Sequence, residues 1–337
     1  MTSFRQALSL CCISLLLTGC ASISTSGPTP DPLAVSPSMP ARPSPSPAPP
    51  GTNENPVVVS LPPALSASDE QIRAANDLSA ELSELTGYTI VVVQPESETR
   101  LVGAIEAGNV HAAILSPYAY VLTYQEGLVQ ASFARLNDGE KSYGAQYIAR
   151  AEAGFRSYFD AEDEKNTAEA TEALSQFKDK KPCWTDKSSP SGFVVPAGIL
   201  AYNGISTRPP AILEGHAPVA QAVYTGGICD FGATYIDART FPLILDKNPD
   251  ILEQVLVAWR IPPIIPHEVF VLAKSLPPEM LKSLDDALFR VSGMESGKKL
   301  FRDAFGTDEW ERITDTFYEP FRTYVIASGV DLAEIIE

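Results

Sequence analysis

Two short segments combine hydroxyl side chains with a chain geometry that can hold an anion. The first is Leu115-Ser116-Pro117-Tyr118-Ala119-Tyr120 and the second is Asp186-Lys187-Ser188-Ser189-Pro190-Ser191-Gly192. Each follows a short apolar run and opens a stretch of helical spacing. A helix start presents backbone N–H groups without intrahelical partners, and a partial positive charge. Serine at that point either caps the helix or donates to a bound oxyanion. Gly192 allows backbone to come close to a ligand. Two such helix starts facing each other across a cleft would hold a tetrahedral anion without a cluster of arginines. Taken singly, each segment also reads as an ordinary N-cap.

Other chemistry is missing from the pattern. The chain has no GxSxG, no GxGxxG after a strand and no P-loop. Its three histidines are His111, His216 and His267. His267-Glu268 begins like the zinc-binding HExxH, but Val269-Phe270-Val271 follows and the second histidine is missing. Cys183 and Cys229 lack the CxxC spacing of a zinc knuckle. No nucleophile is matched with a base, so the expectation is a binding protein rather than an enzyme, with no cofactor and no metal. The 337 residues carry 25 Lys+Arg against 42 Asp+Glu, a formal net charge of −17. Such a surface repels phosphate backbones and anionic headgroups, which argues against nucleic acid as a partner.

The elements that must position the two segments alternate between strand and helix. Val57 to Leu61 reads as a buried strand ended by Pro62-Pro63. Ser68-x-x-Gln71 is a capping-box pattern ahead of Ile72, Ala75, Leu78, Leu82 and Leu85, with Gly87 placed as a helix-ending glycine. Strands are expected at Thr89 to Val93 and Val110 to Leu115, with a helix over Thr99 to Ala107 between them. The pattern restarts with helices over Ala168 to Phe177, Gly192 to Tyr202 and Pro218 to Tyr224, and strands over Pro182 to Thr185 and Ile228 to Ala233. Strands at Val255 to Trp259 and Val269 to Ala273 follow, then an amphipathic helix over Pro278 to Val291. Ser296 to Ile326 looks helical in pieces. Such alternation predicts an α/β fold of two lobes, each a mostly parallel sheet flanked by helices, with a cleft between.

The N-terminus reads as an address. Arg5 and the apolar run Ala7 to Leu17 form a signal peptide too short to span a bilayer of about 30 Å. Leu17-Thr18-Gly19-Cys20 resembles a bacterial lipobox, which makes residues 1–19 a lipoprotein signal and Cys20 the lipidated residue. Residues 20–56 are Pro/Ser-rich without hydrophobic periodicity and are expected to form a disordered tether. The folded part is then expected outside the cytoplasmic membrane, on its outer face or facing a periplasm. It would be held there by lipid rather than by a spanning segment.

The ordered motifs resemble the phosphate/phosphite/phosphonate substrate-binding family of ABC transporters. The family's D-x-x-S-[ST]-S-G loop is matched by Asp186 to Gly192, with Pro190 in place of the middle hydroxyl residue and Pro196 four residues after the glycine. Gly215-His216, Ala222-Val223-Tyr224-Thr225-Gly226, Cys229-Asp230-Phe231-Gly232-Ala233, Asp237-Ala238-Arg239 and Ile265-Pro266-His267-Glu268 continue the match in order. The resemblance implies a type II periplasmic-binding fold with a two-strand hinge. Lobe one would be 57–145 plus 264–337 and lobe two 146–263, with crossovers near Tyr147 to Arg150 and Trp259 to Pro262. It implies a small oxyanion ligand, an ABC permease as partner and a monomer. Ser116, Tyr118 and Tyr120 would offer donors from lobe one, and Ser189, Ser191 and His216 from lobe two. Asp230 would accept a hydrogen bond from a protonated ligand and so reject sulfate. Tyr143 and Trp184 either line the cleft or pack in the core. In a lobe wound like the family's, the strands of Cys183 and Cys229 are neighbours, which implies a disulfide between them. A sulfonate or vitamin-precursor binding protein, or a ligand-sensing lipoprotein without a permease, would share these features.

Overall fold

The structure is a computed structural model that describes residues 48–336. The expected signal peptide, Cys20 and residues 20–47 of the expected tether lie outside the described residues. The tether's last residues are structured instead. Gly51 N donates to Asn55 O at 2.7 Å, and Thr89 N donates to Gly51 O at 2.8 Å, which ties this turn to the first strands.

β1 (Val57–Ser60) leads to α1 (Asp69–Thr86). The helix begins and ends where its residues dictate. Ser68 Oγ accepts from Gln71 N at 3.1 Å, Gln71 Oε1 accepts from Ser68 N at 3.0 Å, and Gly87 closes the helix at φ 73°. β2 (Ile90–Val93), α2 (Glu98–Glu106), β3 (Ala112–Leu115), α3 (Pro117–Gln125) and β4 (Val129–Arg135) follow. Next come β5 (Ser142–Arg150), the hairpin strands β6 (Phe159–Asp160) and β7 (Lys165–Asn166), α4 (Ala170–Leu174) and β8 (Pro182–Trp184). A π-helical turn, Pro190–Val194, runs into α5 (Val195–Tyr202), followed by β9 (Ala211–Ile212), α6 (His216–Thr225) and β10 (Phe231–Tyr235). After α7 (Pro242–Lys247) and α8 (Ile251–Gln254) comes the long β11 (Val255–Pro266). The chain ends through β12 (Val269–Ala273), α9 (Pro278–Gly293), α10 (Glu295–Phe305), β13 (Trp310–Arg312), α11 (Glu319–Ser328) and α12 (Leu332–Ile335).

Two sheets result, ordered β13-β4-β12-β3-β1-β2 and β11-β5-β10-β8-β9. Both are mixed. β1 runs parallel to β2 and β3, and β8 parallel to β9 and β10. The other pairings within the two sheets are antiparallel. The βαβ alternation legible in the sequence supplies the parallel part. The strands that flank the two connections between sheets, β4, β5, β11 and β12, together with β13, supply the rest.

The crossings differ from the expected ones. β5 and β11 pair from Ser142↔Pro266 to Arg150↔Val255, so both lie wholly in the second sheet. The chain passes between sheets within 136–141 and at His267-Glu268. The C-terminal residues also divide. α9 and α10 cover the first sheet together with α1, whereas α11 packs on α5 of the second lobe. There Gly198 sits so close that a Cβ would meet Tyr324 O at 1.9 Å.

Cys183 and Cys229 are disulfide-bonded, with Cα atoms 5.6 Å apart. β8 and β10 are neighbours, but Cys229 precedes β10, which begins at Phe231 rather than Ile228. The bridge spans a sequence separation of 46. Reduction, or Cys183→Ser with Cys229→Ser, should cost about 2–4 kcal/mol. Urea unfolding with and without reductant reads this directly, and an unshifted midpoint would deny the bridge any stabilising role.

Candidate functional site

In open α/β sheets the carboxyl ends of parallel strands face the ligand crevice. Here those ends, on β2, β3, β8 and β10, deliver the starts of α2 and α3, the Pro190–Val194 turn and the 236–239 segment. Ser116 caps α3, its Oγ accepting from Ala119 N at 3.2 Å. Its own donors are engaged: Ser116 N–H and Oγ–H donate to Glu98 Oε1 and Oε2 at 2.7 and 2.8 Å. Burial raises the Glu98 carboxyl above its ordinary value; the two Ser116 bonds oppose this and nearby Glu268 adds to it. Glu98 is not among the residues expected at the site from the sequence.

Tyr118 is 7% exposed, and its hydroxyl has no hydrogen-bond partner among the described residues. Burial, with Tyr143 and Asp186 nearby, pushes its pKa far up, so it stays a neutral donor. Tyr120 does not join the site. It is fully buried, donates to Asp315 Oδ1 at 2.5 Å and packs 4.3 Å from the Tyr318 ring. The inward side of α3 must face the core, and Tyr120 lies on it.

Ser189 Oγ accepts from Gly192 N at 3.1 Å, and Ser191 is 4% exposed beside the Tyr143 phenol. Burial pushes Tyr143 up to about 12, with Ser191 opposing and Glu268 adding. Gly192 serves packing rather than ligand approach, since a Cβ there would come within 2.2 Å of Thr185 Oγ1. His216 opens α6, and its Nδ1 accepts from Tyr235 N at 3.2 Å. Burial lowers its pKa against the pull of Asp186, so the imidazole is neutral and carries its proton on Nε2. Trp184 is a core residue, edge-on to Phe231.

Asp230 is placed elsewhere. It accepts from Lys181 N at 2.7 Å and pairs with Arg208 at 2.5 Å. β10 runs parallel to β8, so a residue just before β10 sits at the amino ends of the strands, away from the crevice.

The structure thus gathers Ser116, Tyr118, Ser189, Ser191 and His216 around Tyr143 and Asp186, and adds Glu98 and Glu268. Beside them lies a cavity of about 560 Å³ lined by Tyr143, Tyr235, His267, Asn137, Asp138 and Glu140. Tyr143 and His267 stack there at 5.3 Å. Neutral hydroxyl and imidazole donors, arranged on both sheets, suit reversible capture of an anion.

Residues 62–318 match the family model described as ABC transporter, phosphonate, periplasmic substrate-binding protein. The chain is 26% identical to the phosphate-import protein PhnD of Mycolicibacterium smegmatis over 273 residues, 77% of this chain and 78% of that one. Its fold is similar to that of the Xanthomonas citri protein XAC2383. The chloride-bound form gives a TM-score of 0.53 at 16% identity, covering 81% of this chain and 97% of that one. The ATP-bound form gives 0.55 at 15% identity, covering 83% and 99%.

Proposed function

The chain belongs to the phosphonate periplasmic substrate-binding family of ABC transporters, and from that premise we propose that it captures a small tetrahedral oxyanion of the phosphonate, phosphite or phosphate class. As a member of that family it is a solute-binding transport protein, not an enzyme, and it works outside the cytoplasm with a permease partner. The observation that carries the ligand class is the donor set: buried, unpartnered Tyr118 Oη from the first lobe, and buried Ser189 and Ser191 with half-buried His216 from the second. The Mycolicibacterium relative is a phosphate-import protein, which supports a phosphoryl ligand. Calorimetric titration with phosphate, phosphite, methylphosphonate and an alkyl sulfonate tests the reading. One of the first three should bind with single-site stoichiometry; binding of the sulfonate alone would overturn it.

The protein acts as a monomer held to the membrane by lipid on Cys20. Support for the anchor is the Leu17-Thr18-Gly19-Cys20 signature followed by a Pro/Ser-rich stretch. Cys20→Ala should leave the precursor unprocessed or free it from the membrane fraction. A variant that stays lipidated would remove Cys20 from this role.

A further inference from the structure

The residues after β13 are shared between the lobes. α11 lies along α5 of the second lobe, and its Phe321 ring packs 5.7 Å from the Tyr118 ring of the first. After Gly329, at φ 72°, the chain turns back. α12 packs on α3, and Thr99 Oγ1 donates to Ile336 O at 3.1 Å, so this last helix is fixed to the first lobe. Facing α12 across a cavity of about 510 Å³ is the turn of the second lobe that carries Ser189 and Ser191. Lys187 and Phe193 line the cavity from the second lobe, and Asp331, Glu334 and Ile335 line it from α12 and its start. The charges across it are opposite. Lys187, Asp331 and Glu334 are all exposed, and none is in an ion pair among the described residues. Asp186, the other charge on the turn, is engaged locally, accepting from Ser188 N and Oγ at 3.1 and 2.7 Å.

We propose that Lys187 is a positioning residue that latches the lobes: as they close on ligand, its ammonium pairs with Asp331 and Glu334 of the C-terminal segment and holds the Ser189–Ser191 turn over the bound anion. This rests on the oxyanion reading above, whose site it regulates. Two-lobed binding proteins close about their hinges when ligand binds. Only a contact that is stronger in the closed state shifts that equilibrium. Here closure narrows the cavity, which brings the three charges together. It also buries the apolar faces of Phe193 and Ile335 beside them, and a pair that is partly out of water is stronger than one on an open surface. Lys187 thus tightens binding from outside the donor set, through α12 and not through the ligand.

The test is calorimetric titration with inorganic phosphate of wild type, Lys187→Glu, Glu334→Lys and the double exchange. Lys187→Glu removes both attractions and sets three carboxylates across the cavity, so phosphate affinity should fall about tenfold. Glu334→Lys removes one attraction and adds a repulsion, and should cost about threefold. The double exchange should bind at least about threefold tighter than Lys187→Glu alone. These differences should shrink between about 0.1 M and about 1 M salt, as the screening length falls from about 10 Å to about 3 Å. A Lys187 that touched the anion directly would give another pattern: Glu334→Lys would tighten binding, and the exchange would rescue nothing. Either result overturns the proposal. The substituted residues are exposed, so the variants keep the fold. A wild type that takes up no phosphoryl ligand sinks the ligand class alone. The latch is then read in the ligand-free protein by carbodiimide coupling and mass spectrometry. An amide joining Lys187 to Asp331 or Glu334 supports it, and the absence of both overturns it.

Discussion

Ser189→Ala combined with Ser191→Ala should weaken binding of the phosphoryl ligand by about 10²- to 10⁴-fold. Both hydroxyls are buried at the start of one helical turn, and Ser191 lies beside Tyr143, which borders the adjoining cavity. A hydrogen bond to a charged group contributes about 1.5–3 kcal/mol, and about 1.4 kcal/mol is tenfold in affinity. Two lost bonds give the stated range. Ser189 also caps Gly192 N, so its replacement costs about 1 kcal/mol of stability on its own. Calorimetry on the folded double variant separates the two effects. Retained affinity for the ligand bound by wild type would falsify the donor assignment.

The second large effect is structural. Asp237 accepts from Arg239 Nη2 at 2.6 Å and Gln146 Nε2 at 2.6 Å, while Arg239 Nη1 donates to Val255 O at 2.5 Å. The two charged side chains are only 14% and 13% exposed. This network joins the end of β10 to β5 and β11, the strands next to the crossings between lobes. Asp237→Ala leaves Arg239 buried without its partner and should cost about 3–5 kcal/mol, a large share of the roughly 5–15 kcal/mol that holds a domain together. Burial raises the Asp237 carboxyl, but the Arg239 bonds and charge outweigh it, and the net shift is downward. A carboxyl depressed in the folded state stabilises above its unfolded value and loses that contribution as pH falls through the folded one. Wild type should therefore be more stable than Asp237→Asn at neutral pH, with the gap closing below the ordinary carboxylate range. A gap independent of pH would contradict the ion-pair account.

Much of the first lobe was legible because local rules and tertiary structure agree there. The capping box at Ser68 and Gln71, the closing Gly87 and the apolar runs of β1 to β3 each specify their element without help from distant residues. β4 and the first half of β5 escaped notice because they bury polar residues, Ser132 and Gln146, that break the alternation a strand reading needs; Tyr147 to Arg150 entered only through the family resemblance. Asp230 was misplaced through strand polarity. The apolar Ile228-Cys229 pair looked like strand interior, yet Ile228 is exposed and the strand starts only at Phe231. Glu98 carried no local signal beyond its place at the carboxyl end of β2, the same edge that presents Ser116. Only packing of α2 against α3 shows what it holds.

The strand order of the first sheet bears on how this chain is made. β12 fills the slot between β3 and β4, Val269 lying opposite both Leu115 and Ala134. The second sheet is assembled from one unbroken run, 142–266, whereas the first stays open at its middle until residue 273 arrives. Closing so long a loop is entropically costly and slow. An emerging chain can thus complete its second lobe while β3 and β4 still have free edges. The first lobe, with Glu98, Ser116 and Tyr118, closes afterwards. The ligand crevice, which needs both sheets, is therefore the last part of the molecule to exist.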